Sequence, residues 1–130
     1  MLFVMLNPSI ADATTDDPTL RRCLAFARTW GFGYLDVCNL FAHRSAHPDV
    51  LKAVADPVGP RNDRVIAEVA ARANRIVVAW GARGSLRDRA ERVLSAILTQ
   101  PPLHCFGRTC AGEPRHPLYL PQTTRIARFR

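Results

Sequence analysis

Short, continuously apolar runs alternate along this chain with longer stretches in which apolar residues return every three or four positions. Leu2 to Leu6 and Ile76 to Trp80 are apolar and β-prone throughout, the pattern of central strands buried on both faces. Tyr34 to Phe41 supplies a further strand around Leu35, Val37 and Cys38, and Leu103 to Phe106 a short fourth one. Three amphipathic segments separate them. Asp17-Pro18 offers an N-cap and a first-turn proline to a helix whose stripe is Leu20, Cys23, Leu24, Ala27 and Trp30, with Gly31 as its stop. Pro60 opens a second helix with Val65, Ile66, Val69, Ala70 and Ala73 on one face. Ser85-Leu86-Arg87-Asp88 has capping-box spacing and opens a third, carrying Ala90, Val93, Leu94, Ile97 and Leu98 and ending at Pro101-Pro102. Asp49 to Ala55 has room for a helical turn or two within an irregular stretch.

Alternating strands and helices imply right-handed crossovers, and hence a three-layer α/β/α domain with a mainly parallel sheet of about four strands. In such a sheet the carboxyl ends of the strands share one edge. Asn7-Pro8-Ser9, Asn39-Leu40-Phe41, Trp80-Gly81 and His116-Pro117-Leu118 each follow an apolar stretch that reads as a strand. The four signatures should therefore meet in one crevice.

At 130 residues the chain fits one domain. No apolar run approaches the roughly 20 residues of a membrane span, and Leu2 to Leu6 is too short for a signal-peptide core. The expected address is the cytoplasm. The formal charge is +7, and Lys52 is the sole lysine among 18 basic residues. Arginine's planar fork suits phosphate and carboxylate, although an arginine-rich codon usage would give the same composition. Arg108, Arg115, Arg125, Arg128 and Arg130 cluster in the tail, and the first four are the candidate nucleic-acid contacts.

None of the four cysteines stands in Cys-x-x-Cys spacing, and His43, His47 and His104 lack ligand spacing among themselves, so no metal or cofactor is expected. Cys23 and Cys38 read as core residues, and Cys105 and Cys110 as accessible thiols beside a turn. Each polar signature also has an ordinary structural reading. Asn7-Pro8-Ser9 suits a turn, Trp80 suits a core, Gly81 turns the chain, and His116 before Pro117 suits an extended surface segment. Arg44 reads as a phosphate contact or as a solvated loop charge.

Met5-Leu6-Asn7-Pro8-Ser9, Ala11-Asp12-Ala13, Asp17-Pro18-Thr19, Trp30-Gly31, Asn39-Leu40-Phe41, Trp80-Gly81 and Gly112-Glu113-Pro114-Arg115-His116-Pro117-Leu118-Tyr119 together resemble the bacterial domain of unknown function 1643 family. That resemblance covers nearly the whole chain and implies no established activity. Members usually begin upstream of the first strand, which implies that an N-terminal extension is missing here.

In the same order, Asn7-Pro8, Asn39, Trp80-Gly81 and His116-Pro117 are more distantly similar to the motifs of the uracil-DNA glycosylase superfamily. This second resemblance implies a glycosylase-like domain over residues 1–130. In it Asn7 positions a water with help from Asp16 or Asp17, Asn39 reads a base edge, and His116 supports the departing base. Asn7, His116 and Asp17 are then the catalytic candidates. Pro8, Ser9 and Asn39, with Arg44, Trp80, Gly81 and Tyr119, are the substrate contacts. The chain departs from that pattern at Met5 and Ser9, where glycines are usual, and Leu118-Tyr119-Leu120-Pro121 replaces the Ser-Pro run after His-Pro. The expected function is recognition of a nucleobase, nucleotide or nucleic acid, with N-glycosidic hydrolysis as the enzymatic form. A non-catalytic nucleotide or nucleic-acid binding module is the alternative.

Overall fold

The computed structural model describes residues 1–10, 17–100 and 102–130. Ala11-Asp12-Ala13, Asp16 and Pro101, all used in the sequence reading, lie outside them. The elements are β1 (Leu2–Met5), α1 (Pro18–Thr29), β2 (Asp36–Asn39), α2 (Asn62–Arg72), β3 (Ile76–Val78), α3 (Arg89–Ala96), β4 (Leu103–Cys105) and β5 (Ala127–Arg128), with 3-10 turns at Pro48–Lys52, Gly81–Arg83 and Leu86–Asp88. No helix among the described residues is long and apolar enough to cross a membrane.

The strands form one sheet in the order β2-β1-β3-β4-β5. β1 lies at its middle, parallel to β2 with Leu2 opposite Asp36 and to β3 with Leu2 opposite Ile76, and β4 runs parallel to β3. The sheet is nonetheless mixed and five-stranded, which corrects the mainly parallel expectation. β5 is antiparallel to β4, with His104 opposite Arg128, and Phe129 N–H donates to Leu103 carbonyl at 2.7 Å. Ile126 and Phe129 enter opposite cores, as period two requires, and bind the arginine-rich tail to the sheet.

β1 shows why its run is apolar throughout. Leu2 and Val4 pack with Ile66 and Val69 of α2 and Val93 and Leu94 of α3, whereas Phe3 and Met5 pack with Cys23, Phe26 and Ala27 of α1. Phe3, Phe26, Trp30 and Phe106 form an aromatic group with neighbouring centroids 4.6–6.4 Å apart.

Several boundaries differ from the periodicity. Asp17 caps α1 as expected, accepting from the Thr19 and Leu20 amides, but Leu20 and Leu24 are exposed and Phe26 takes their place in the core. Val65 is likewise exposed on α2, which starts at Asn62, two residues after Pro60. The Ser85 box makes no cap. Arg87 and Asp88 adopt left-handed φ of 55° and 54°, so α3 begins only at Arg89. The Arg87 guanidinium donates to the Lys52 and Val54 carbonyls at 3.0 and 2.7 Å, a long-range anchorage that local capping rules do not contain. Cys105, expected to be accessible, is buried with Cys23 and Cys38, and only Cys110 is exposed.

Candidate functional site

Strand order reverses at β1: the chain leaves β1 for β2 on one side and returns to β3 on the other. The carboxyl ends of strands flanking such a reversal are where open α/β sheets leave a crevice. A cavity of about 490 Å3 lies at that place, lined by Asn7, Pro8 and Ser9 after β1, Asn39 at the end of β2 and Trp80 after β3. Asp17, Thr19, Arg44, Arg83 and His116 add polar and charged groups to the lining, Met5 and Cys23 add sulfur, and Leu20 and Val37 are among its apolar surface. Its size is that of small-molecule sites in general.

Asn7 is held in place by its own amide. Nδ2 donates to the Pro8 carbonyl at 3.0 Å, to Ser45 at 2.9 Å and to His43 at 3.4 Å, and the Ser45 N–H donates back to Pro8 at 3.0 Å. The side chain thus ties the turn after β1 to both neighbours of Arg44. Asp17 is similarly engaged. Oδ1 accepts from the Thr19 and Leu20 amides at 2.9 and 3.0 Å, and Oδ2 accepts from Ser9 Oγ at 3.1 Å.

Asn39 is different. Its backbone carbonyl accepts from Asn62 Nδ2 at 2.9 Å, and the next carbonyl, Leu40, accepts from Asn62 at 3.0 Å and from Arg89 Nε at 2.7 Å. Arg89 is 4% exposed and also pairs with Asp63. These donors satisfy the strand end, and the Asn39 carboxamide itself has no hydrogen bond among the described residues. Sequence reasoning missed Asn62 and Arg89, whose partners lie 22 or more positions away.

His116 reaches the cavity through contacts between loops. Gly81 N–H donates to Pro114 carbonyl at 2.9 Å, and a Cβ on Gly81 would stand 3.5 Å from His116 Cβ, so Gly81 supports His116 from outside the cavity lining. Leu118 N–H donates to His116 Nδ1 at 3.2 Å. An accepting Nδ1 leaves the neutral ring's proton on Nε2. Burial pushes the imidazole below its ordinary value of 6.5, against the opposing pull of the Asp17 charge. At neutral pH His116 is therefore an uncharged N–H donor.

Trp80 is 1% exposed, with its ring edge against Phe129 and Nε1 donating to Glu113 at 2.6 Å. Trp80 and His116 are the aromatic side chains among the described lining residues. Burial, reinforced by Asp17, pushes the Cys23 thiol up to about 12, which rules it out as a thiolate nucleophile at neutral pH. Among the described residues no group of three His, Cys, Asp or Glu is disposed to hold a metal.

The arginines separate into two groups. Arg44 lines the cavity with no hydrogen bond or ion pair among the described residues. Arg83, which sequence reasoning did not single out, lines it too and pairs with Asp49, holding that carboxyl below its ordinary value. The tail arginines lie outside the lining. Arg108 donates to the Gly112 and Phe129 carbonyls and stacks 4.0 Å over the Phe129 ring, and Arg130 pairs with Glu91 at 2.7 Å. Arg115, Arg125 and Arg128 are exposed. Tyr119 is 92% exposed at φ 69° and does not line the cavity.

The family model described as protein of unknown function (DUF1643) matches residues 1–118. The chain belongs to that family. Comparison with curated proteins and with solved structures gave no match. The description of DUF1643 names no activity, so the chemistry rests on the cavity.

Proposed function

We propose that this DUF1643 protein binds a nucleobase-bearing small ligand in the cavity at the carboxyl edge of its sheet. The observation that carries this reading is the Asn39 carboxamide, unpaired among the described residues, which shares the cavity with the His116 donor. A carboxamide offers a donor and an acceptor side by side, matching the edge of a base, and an imidazole N–H suits an exocyclic carbonyl oxygen. Binding rather than hydrolysis is favoured because the Asp17 carboxylate is taken up by the α1 cap and Ser9, and Asn7, whose Nδ2 holds the Arg44 loop, is an amide without the strength of a general base. The test is equilibrium binding of a panel of free bases and nucleosides to the wild type and to Asn39→Ala. Micromolar to millimolar binding of at least one base class, weakened about tenfold or more by the substitution, is expected, since an unpaired base edge in a closed site costs about 1–3 kcal/mol. Binding indifferent to Asn39, or no binding at all, overturns it.

The second reading, N-glycosidic cleavage, is favoured by one feature: a neutral His116 in the cavity lining, with its proton on Nε2, is a suitable donor to a departing base. Single-turnover base release from uracil- or hypoxanthine-containing DNA, falling roughly 10²–10³-fold in His116→Ala, is its expected signature. No release by the wild type removes it. A three-layer, uracil-DNA-glycosylase-like arrangement belongs to the same proposal, supported by the two separate cores against β1. A cytoplasmic setting also belongs to it, supported by four free thiols, which a reducing compartment maintains.

A further inference from the structure

We infer that Arg44 and Arg83 form an anion subsite in the same cavity and that the ligand is a free mononucleotide, its base at Asn39 and its phosphate on the two guanidinium groups. This rests on the nucleobase reading and specifies the rest of the ligand. Arg44 is carried on a segment pinned on both sides. Asn7 Nδ2 holds the His43 and Ser45 carbonyls, and Ser45 N–H bonds Pro8, so the loop bearing this arginine, unpaired among the described residues, is held in place before any ligand arrives. Such preorganisation lowers the ordering cost of binding. Arg83 ends the 3-10 turn that follows Trp80 and is presented to the same cavity.

Asp49 occupies Arg83 meanwhile. Its carboxylate also lies 3.6 Å from Lys52 and is 63% exposed, so it is a replaceable partner rather than a buried one. A phosphate offers two or three oxygens to a guanidinium fork and is the stronger occupant. Charge within the lining favours one phosphate group and not a strand. Arg44 and Arg83 stand against Asp17, leaving a single positive excess, whereas Arg108 and Arg130 lie outside the lining and are committed to carbonyls, a ring and Glu91. The cavity of about 490 Å3 is also of mononucleotide scale.

The experiment measures binding of inorganic phosphate, deoxyuridine, deoxyuridine monophosphate and a five-residue thymidine oligonucleotide to the wild type, Arg44→Gln, Arg83→Gln, Asp49→Asn and Asn39→Ala. The monophosphate should bind about tenfold or more tighter than the nucleoside, and either arginine substitution should erase that difference. Asp49→Asn should tighten monophosphate binding several-fold by freeing Arg83, a gain that misfolding cannot imitate. Equal affinity for nucleoside and monophosphate, unchanged by the arginine substitutions, overturns the subsite and leaves the nucleobase reading standing. Phosphate binding that depends on both arginines, without nucleoside binding or any effect of Asn39→Ala, supports the subsite and removes the nucleobase reading. Preference for the oligonucleotide over the monophosphate overturns the mononucleotide assignment.

Discussion

Replacing Gly84 by alanine tests the frame behind the cavity. Its φ of −61° lies in the ordinary helical region, so on backbone grounds alone alanine should stabilise the fold by about 0.4–1 kcal/mol. Close approach reverses the sign. A Cβ there would stand 2.0 Å from Trp80 Cδ1, 2.1 Å from Nε1 and 2.9 Å from Cγ, where carbon atoms normally rest about 3.5–4.0 Å apart. The indole must therefore retreat by about 1.5 Å. It has little room, since it is 1% exposed, set edge-on to Phe129 and bonded to Glu113 at 2.6 Å. Overpacking of this kind costs about 1–3 kcal/mol, and losing a hydrogen bond to a charged group about 1.5–3 kcal/mol more. After the backbone gain the net loss is roughly 2–5 kcal/mol, a large share of the ~5–15 kcal/mol typical of a domain.

Urea denaturation followed by tryptophan fluorescence measures this through the midpoint at unchanged slope. Gly31→Ala is the control. Gly31 has no atom within 4 Å of a built Cβ but a φ of 77°, so only left-handed strain of about 1–2 kcal/mol is expected. If Gly84→Ala lies within 0.5 kcal/mol of wild type, or costs less than Gly31→Ala, the close-approach argument is wrong.

Three other substitutions follow from side chains already placed. Asn7→Asp would set a carboxylate oxygen against the Pro8, His43 and Ser45 carbonyls, so it should destabilise by about 1–3 kcal/mol and loosen Arg44; a rise in base release instead would return Asn7 to water activation. Because burial lowers the folded-state pKa of His116, the unfolded chain binds the proton first, and stability present above about 6.5 should fall as pH drops through that value toward the folded one. Burial, Arg75 and Arg128 shift His104 the same way, so urea midpoints at about pH 7.5 and 5 should converge partly in His116→Asn and partly in His104→Asn; parallel loss in all three proteins would refute the assignment. Tyr119→Gly relieves a φ of 69° at a 92% exposed residue and should raise stability by up to about 1 kcal/mol with ligand binding unchanged; weakened binding would make Tyr119 a contact.

The strand ends, and with them the cavity, were legible because β1 and β3 are apolar on both faces and their apolar runs end at Asn7-Pro8 and Trp80-Gly81. Asn7, Ser9, Asp17, Asn39, Arg44, Trp80 and His116 do converge. The helix faces were less legible. Leu20 and Leu24 match helical spacing as well as Phe26 does, and only the position of Phe3 and Phe106 decides which of them is covered. β5 was hidden by its composition, since an arginine-rich tail reads as solvated until Ile126 and Phe129 are seen in separate cores. Arg83 and Arg87 escaped notice for a related reason. Their partners, Asp49 and the Lys52 and Val54 carbonyls, stand more than thirty positions away, beyond any local pattern.

The polar side chains around the cavity divide by the needs of the backbone. Parallel strands leave carbonyls at their carboxyl ends that must be met once the chain turns inward. Asn62 and Arg89 meet those of Asn39 and Leu40, and Asn7 meets those of the segment carrying Arg44. Asp17 meets the first amides of α1. With these groups engaged, the Asn39 carboxamide, the Nε2 side of His116 and the Arg44 guanidinium remain for a ligand. A substitution in the first set should act mainly on stability and on the geometry of the second. In the second set, substitution of Asn39 or Arg44 should act on affinity while leaving the urea midpoint nearly unchanged, whereas His116 also carries the pH-dependent share of stability. Asn39→Ala is the decisive member: a large stability loss there, at a side chain without a hydrogen-bond partner among the described residues, would place Asn39 in the frame and leave the cavity without a base reader.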